Sequence, residues 1–306
     1  MDKYGIQSMN GQDEKSTSKL VNQTTSSRIK KIDESATIYK PPRERFLSVR
    51  GTVSTNQSLL LGLIGVVAFF SIWEIGHLLT PEVQRRFLPG VIEVVGKITY
   101  LIREKGFIGD IGKSLYRIYL SFFVACLVAT PLGLLMGCFV KLRALINPTV
   151  GGLRYLPAAS FVPLLLVYLG PTDTAKMALL FLGCVFFLVA LILDNVLAVP
   201  RELVESAQTM GASRRHIVFR VTLPAAAPQI VDSMRNMIAV SWTYLVIAEI
   251  VAATDGIGAV MMRGAKFLHI DIIMAGILTI GVLGVLTDMI FRFARRLLFP
   301  YLYARR

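Results

Sequence analysis

The chain has 306 residues, 54% of them hydrophobic, with a mean hydropathy of +0.60. That excludes an ordinary soluble domain and leaves a polytopic membrane protein, expected to be all-α. The net charge of +13 is distributed among tails and loops rather than gathered on one patch. It therefore speaks for membrane topology and against a nucleic-acid partner.

In chain order, residues 1–57 are rich in Ser, Thr, Asn, Gln and charge and read as a disordered cytoplasmic tail. No apolar stretch lies near the start, so a secretory signal is not expected there. A span needs roughly 20 apolar residues whose backbone satisfies its own hydrogen bonds. Six runs approach that length, near 58–79, 115–139, 156–170, 175–198, 230–253 and 272–294. The third is short and interrupted by Pro157 and Pro163. It either recruits the preceding stretch from Asn147 to Tyr155 or forms a broken helix packed inside the bundle.

Between the first two runs, residues 80–113 are too polar to span. Val91, Val94, Val95, Ile98, Leu101 and Ile102 recur there at helical spacing, predicting an amphipathic helix on the outer surface. The second run carries Ala129, Gly133 and Gly137, small residues four apart that let another helix approach closely. With the N-terminus in the cytoplasm, 10 basic residues precede the first span. Three more lie in 141–154, four in 200–226, and five from residue 292 onward. Those 22 of 33 basic residues fall on cytoplasmic segments, as the positive-inside rule demands.

Residues 199–226 join the fourth and fifth runs. Pro200 suits a helix start and Gly211 its left-handed stop, with Leu203, Ala207 and Met210 on one stripe. A second short helix is predicted from Ser213, turning Ile217, Val218 and Val221 inward and ending before Pro224. Two brief helices bent at a glycine form a stiff knob that fits a groove on a separate soluble protein.

No phosphate-binding loop is present, since Gly170–Lys176 lacks the second glycine and the hydroxyl residue. His77, His216 and His269 are scattered, Cys126, Cys138 and Cys184 follow no metal spacing, and no Gly-x-Ser-x-Gly elbow occurs. The expectation is a chain that is not an enzyme and holds no cofactor or metal. Intramembrane polar residues mark a candidate translocation pathway: Ser160, Ser241, Trp242, Thr243, Tyr244 and Glu249. For Glu249 a structural hydrogen-bonding role near the outer gate is expected. Asp194, Asn195 and Asp288 lie near cytoplasmic ends and read as interfacial.

Glu205-Ser206-Ala207, three residues, Gly211, then nine residues to Val221-Thr222-Leu223-Pro224 resembles the EAA loop of ABC importer permeases. The family pattern is E-A-A, three residues, G, nine residues, I-x-L-P. Ser206 and Val221 depart from it by small or near-isosteric changes. Segments including FLPG, LGPTDTAKMALLF and IAEIVAATDGIG are similar to the nitrate/sulfonate/taurine/bicarbonate branch of those permeases.

The resemblance implies six transmembrane helices with a type I permease core at 114–298, and a basic cytoplasmic C-terminus at 299–306. It implies coupling to the ATPase through Glu205, Ser206, Ala207, Gly211, Leu223 and Pro224. ATP and Mg would be used by separate ABC ATPase subunits. A periplasmic substrate-binding protein would deliver a small anion to two permease copies, expected as a homodimer among the lipids of a bacterial inner membrane. The competing expectation is a secondary transporter or channel working without an ATPase.

Overall fold

The computed structural model describes residues 53–251 and 254–302. The expected N-terminal tail up to residue 52 and the end of the basic C-terminus, 303–306, lie outside them. Ten helices are numbered here: α1 (Thr55–Leu79), α2 (Val91–Glu104), α3 (Phe107–Cys138), α4 (Val140–Leu153), α5 (Val162–Leu169), α6 (Asp173–Leu197), α7 (Arg201–Thr209), α8 (Arg214–Val251), α9 (Ile257–Lys266) and α10 (Ile270–Leu298). Five of them, α1, α3, α6, α8 and α10, are long and apolar enough to cross a membrane.

The chain divides into two units, 1–65 and 66–306. In the first, the described residues open α1 slightly earlier than expected. Ser54 Oγ accepts from the Gln57 amide and Gln57 Oε1 from the Ser54 amide, both at 3.3 Å, a reciprocal cap that fixes the helix start.

In the second unit, α3 begins at Phe107 rather than at the expected 114. Gly106 takes φ +63, the left-handed conformation that stops α2 and lets α3 begin one residue later. The expected amphipathic helix is α2, whose Val94 and Leu101 are buried with Ile257, Val260 and Ala275 of α9 and α10.

Helices α3 and α6 make the most extensive helix contact, and the small residues of α3 explain it. A Cβ added at Gly133 would stand 2.8 Å from Ile192 and 3.0 Å from the Val189 carbonyl. Gly137 meets Val196 in the same way. With no side chain between them, the two backbones approach until dispersion contacts are made atom to atom.

That contact also settles the broken span. Arg117, near the start of α3, binds Asp173, the first residue of α6, while Gly133 near the end of α3 meets Ile192 near the end of α6. The two helices therefore run parallel, and residues 139–172 must carry the chain back across the bundle. They do so as α4 and the stretch Ala158–Leu169, which meet at an angle of 81°. Arg154, grouped above with the cytoplasmic cations, sits at that bend instead.

Helix α8 runs antiparallel to α6 and to α10. Asn195 donates to Ser233 at 2.7 Å, and Cys184 Sγ lies 2.8 Å from Ser241 Oγ. Asp288 pairs with Arg235 and Arg292, and Arg295 Nη2 lies 3.0 Å from Asp232. Asp288 thus ties α8 to α10 rather than standing idle at an interface.

Candidate functional site: an exposed loop and a buried ion cluster

The predicted loop forms α7, a glycine bend and the start of α8. The Ala212 amide bonds the Ala207 carbonyl at 3.0 Å and the Gly211 amide bonds the Gln208 carbonyl at 2.9 Å. With Gly211 at φ +76, this is a Schellman stop, which satisfies two carbonyls that the helix end would leave bare. Ser213 then caps α8 by accepting from the His216 amide at 3.3 Å.

One expectation is corrected. The second helix does not end before Pro224 but continues as α8 to Val251. Residues 217–222 form a π-helical turn, in which the Leu223 amide reaches back to the Val218 carbonyl. The wider turn takes up the hydrogen bond that Pro224, lacking an amide hydrogen, cannot donate.

Of the expected apolar stripe only Ala207 is buried, while Leu203 is 47% and Met210 81% exposed. Glu205, Ser206, Gly211 and Pro224 are also exposed, and Leu223 is partly buried. The loop thus presents a carboxylate beside apolar side chains at one end of the bundle.

The six pathway residues do not converge. Ser241 and Trp242 are buried, Ser241 between Cys184 and its own helix carbonyl at Met237. Tyr244 packs its ring where a Cβ on Gly183 would stand. Thr243 and Ser160 are exposed.

Glu249 belongs to a cluster at the opposite end from the loop, most of whose members were missed from sequence. Arg117 Nη1 donates to Glu249 Oε1 at 2.9 Å, and its Nε and Nη2 reach Asp173 Oδ1 at 3.1 and 2.6 Å. Arg117 also bonds Asp255. Lys176 Nζ lies 3.1 Å from Asp255 Oδ1 and Lys113 Nζ 2.6 Å from Asp255 Oδ2. Three cations meet three carboxylates, so the charges balance.

Ser114 Oγ donates to Glu249 Oε1 at 2.7 Å and the Gly258 amide to Oε2 at 2.9 Å. Glycine is required at 256 and 258 because a Cβ at either would strike the Glu249 side chain, and Gly256 also sits at φ +98. That is why Glu249, Gly256 and Gly258 travel together in IAEIVAATDGIG. Burial pushes the Asp255 carboxyl up, but hydrogen bonds from Lys113, Arg117 and Lys176 outweigh it and hold the group well below the usual Asp range. A signal was available: Arg117 and Lys176 are basic residues inside apolar runs, which membranes admit only when paired.

Residues 129–300 match the family described as binding-protein-dependent transport system inner membrane component. The chain is 30% identical over 273 residues to the taurine transport system permease protein TauC of Escherichia coli strain K12, covering 87% of this chain and 98% of that protein. It is 26% identical over 272 residues to the putative aliphatic sulfonates transport permease protein SsuC of Bacillus subtilis strain 168, covering 89% and 94%. An inward-facing structure of the MetNI methionine ABC transporter shares the fold at a TM-score of 0.52 and 19% identity, over 61% of this chain and 94% of that one. The chain belongs to the binding-protein-dependent transport system inner membrane component family, as the multi-pass permease subunit of an ABC importer.

Proposed function

We propose that this permease imports a small anion, a sulfonate such as taurine first, then nitrate, bicarbonate or cyanate. The similarity to TauC along nearly the whole of both chains supports that order. In this reading two copies form a homodimer, a periplasmic receptor delivers the anion, and separate ATPase subunits hydrolyse ATP with Mg. The N-terminus lies in the cytoplasm, and the basic residues of 200–226 share that side. A permease that alternates access must release its cargo, so tight selection falls to the receptor.

The observation that carries the coupling role is the exposed loop. A Schellman stop and a serine cap stiffen it, α6 and α8 hold it at either side, and it leaves Leu203, Glu205 and Met210 bare. Those features suit a helix-in-groove contact with an ATPase, Glu205 serving as its polar anchor. The test is copurification of the ATPase with Glu205→Arg and Gly211→Asp. Both variants should insert and lose the ATPase; wild-type recovery in both would remove the coupling role. The ligand retained by the purified receptor tests the substrate class.

A further inference from the structure

Arg154 is the C-terminal cap of α4, at the bend where the broken span turns by 81° toward α5. Its depth follows from its neighbours. Ala158, four residues on, is buried in one cluster with Leu179 and Ala248. Leu179 lies six residues into α6, ~9 Å below that helix's start at 1.5 Å per residue. The guanidinium is thus rooted within the apolar zone, where an ionised side chain costs about 2.5–3.5 kcal/mol on insertion scales.

Other cations at that depth or nearer the membrane surfaces are neutralised. Arg117, Lys113 and Lys176 meet Asp173, Glu249 and Asp255; Arg235 and Arg292 meet Asp288; Arg295 meets Asp232. Arg154 has no carboxylate within 4.0 Å among the described residues. Its contacts are the ring of Tyr155, 5.1 Å from the guanidinium carbon, and the Tyr155 hydroxyl, to which Nη2 donates at 3.3 Å. Tyr155 is itself 76% exposed, so the pair projects from the subunit surface. The carbonyl end of α4 offsets part of the charge, which lets the cation stand without a carboxylate.

The neighbouring surface is unusual in the same way. Exposed positions on α3 and α10 within the span are large and apolar, among them Phe123, Leu127, Val285 and Ile290. On α8 the exposed stripe instead carries Gln229, Asn236 and Thr243, seven residues apart and hence on one face. Amide and hydroxyl groups on that face are suited to water or a polar solute rather than to acyl chains.

We propose that Arg154 is the anion-selecting residue of the translocation pathway, an unneutralised guanidinium that a sulfonate, nitrate or bicarbonate group contacts in transit. The exposed polar face of α8 contributes neutral donors. The assignment rests on the anion-import reading above. A carboxylate partner inside the protein would cancel the attraction, while a cation stacked on an exposed tyrosine holds a solute weakly enough to release it.

The test uses the complete transporter, this chain with its ATPase and receptor, reconstituted in proteoliposomes with labelled taurine, nitrate and bicarbonate as probes. A charge-assisted hydrogen bond lost from the transit state lowers rates by about tenfold or more. Arg154→Gln should therefore cut uptake of the transported anion by about that factor per assembled complex, while receptor-stimulated ATP hydrolysis persists. Arg154→Lys, which keeps the charge, should retain most of the uptake and controls for folding. Uptake by Arg154→Gln equal to wild type overturns the proposal and leaves anion import standing, as does an equal loss in Gln and Lys variants at normal assembly. If the wild-type transporter moves none of the three probes, the anion reading fails first and the proposal goes with it.

Discussion

Arg117 and Glu249 lie 132 residues apart in sequence, yet their side chains meet at 2.9 Å and neither retains any exposed surface. The pair joins α3 to α8 where no water reaches it. Removing one partner leaves a buried charge unpaired, so Glu249→Ala should cost about 3–5 kcal/mol. Thermal unfolding of the purified chain in detergent measures it. Because the penalty comes from the orphaned partner, Arg117→Met with Glu249→Leu should lose less than the sum of the single changes. An additive double variant would show that the two side chains are not energetically coupled.

The Asp255 carboxyl gives the cluster a pH signature. Its pKa is held below the ordinary 3.8, so its contribution is complete above that value and is lost as pH falls toward the folded-state pKa. The stability difference between wild type and Asp255→Asn should be constant at neutral pH and shrink below the ordinary Asp range. Unfolding curves recorded down a pH series test this; a difference that widened on acidification would contradict the sign.

At Gly211 no atom lies within 4 Å of the position a Cβ would take, so its backbone angle, not space, sets the demand. Asn enters the left-handed region far more readily than a β-branched residue does. Gly211→Asn should therefore keep more ATPase on the purified permease than Gly211→Val. Equal losses would place the requirement in the partner's surface instead.

Gly133 reverses that logic, having ordinary backbone angles and no room. Gly133→Val should destabilise the α3–α6 contact by about 1–3 kcal/mol through overpacking. The same change at Gly151, where nothing lies within 4 Å, should be nearly silent in the unfolding assay.

The long helices were legible because apolar run length is a local property, and the loop because Gly211 and the spaced residues around it announce a bend. The family resemblance drawn from that loop and from IAEIVAATDGIG agrees with the relatives found. Pairing across sequence was not legible. Lys176 read as part of a failed phosphate loop, and nothing local says that Asp255 closes over it 79 residues later. Pro224 looked like a terminator because the rule for proline is local, whereas a π turn just before it absorbs the missing donor. Arg154 was placed with the cytoplasmic cations because hydropathy does not display a right-angled break. That break emerged only from the parallel course of α3 and α6.

Helix α8 begins at the serine-capped bend of the loop and ends two residues after Glu249, one uninterrupted rod of 38 residues. At 1.5 Å per residue that is ~57 Å of hydrogen-bonded backbone. A displacement imposed on its foot reaches the carboxylate at its head almost undiminished, since the π turn at 217–222 is the compliant stretch. Whatever opens or shuts the far mouth of this bundle must therefore keep step with the nucleotide cycle, with no separate signal between the two.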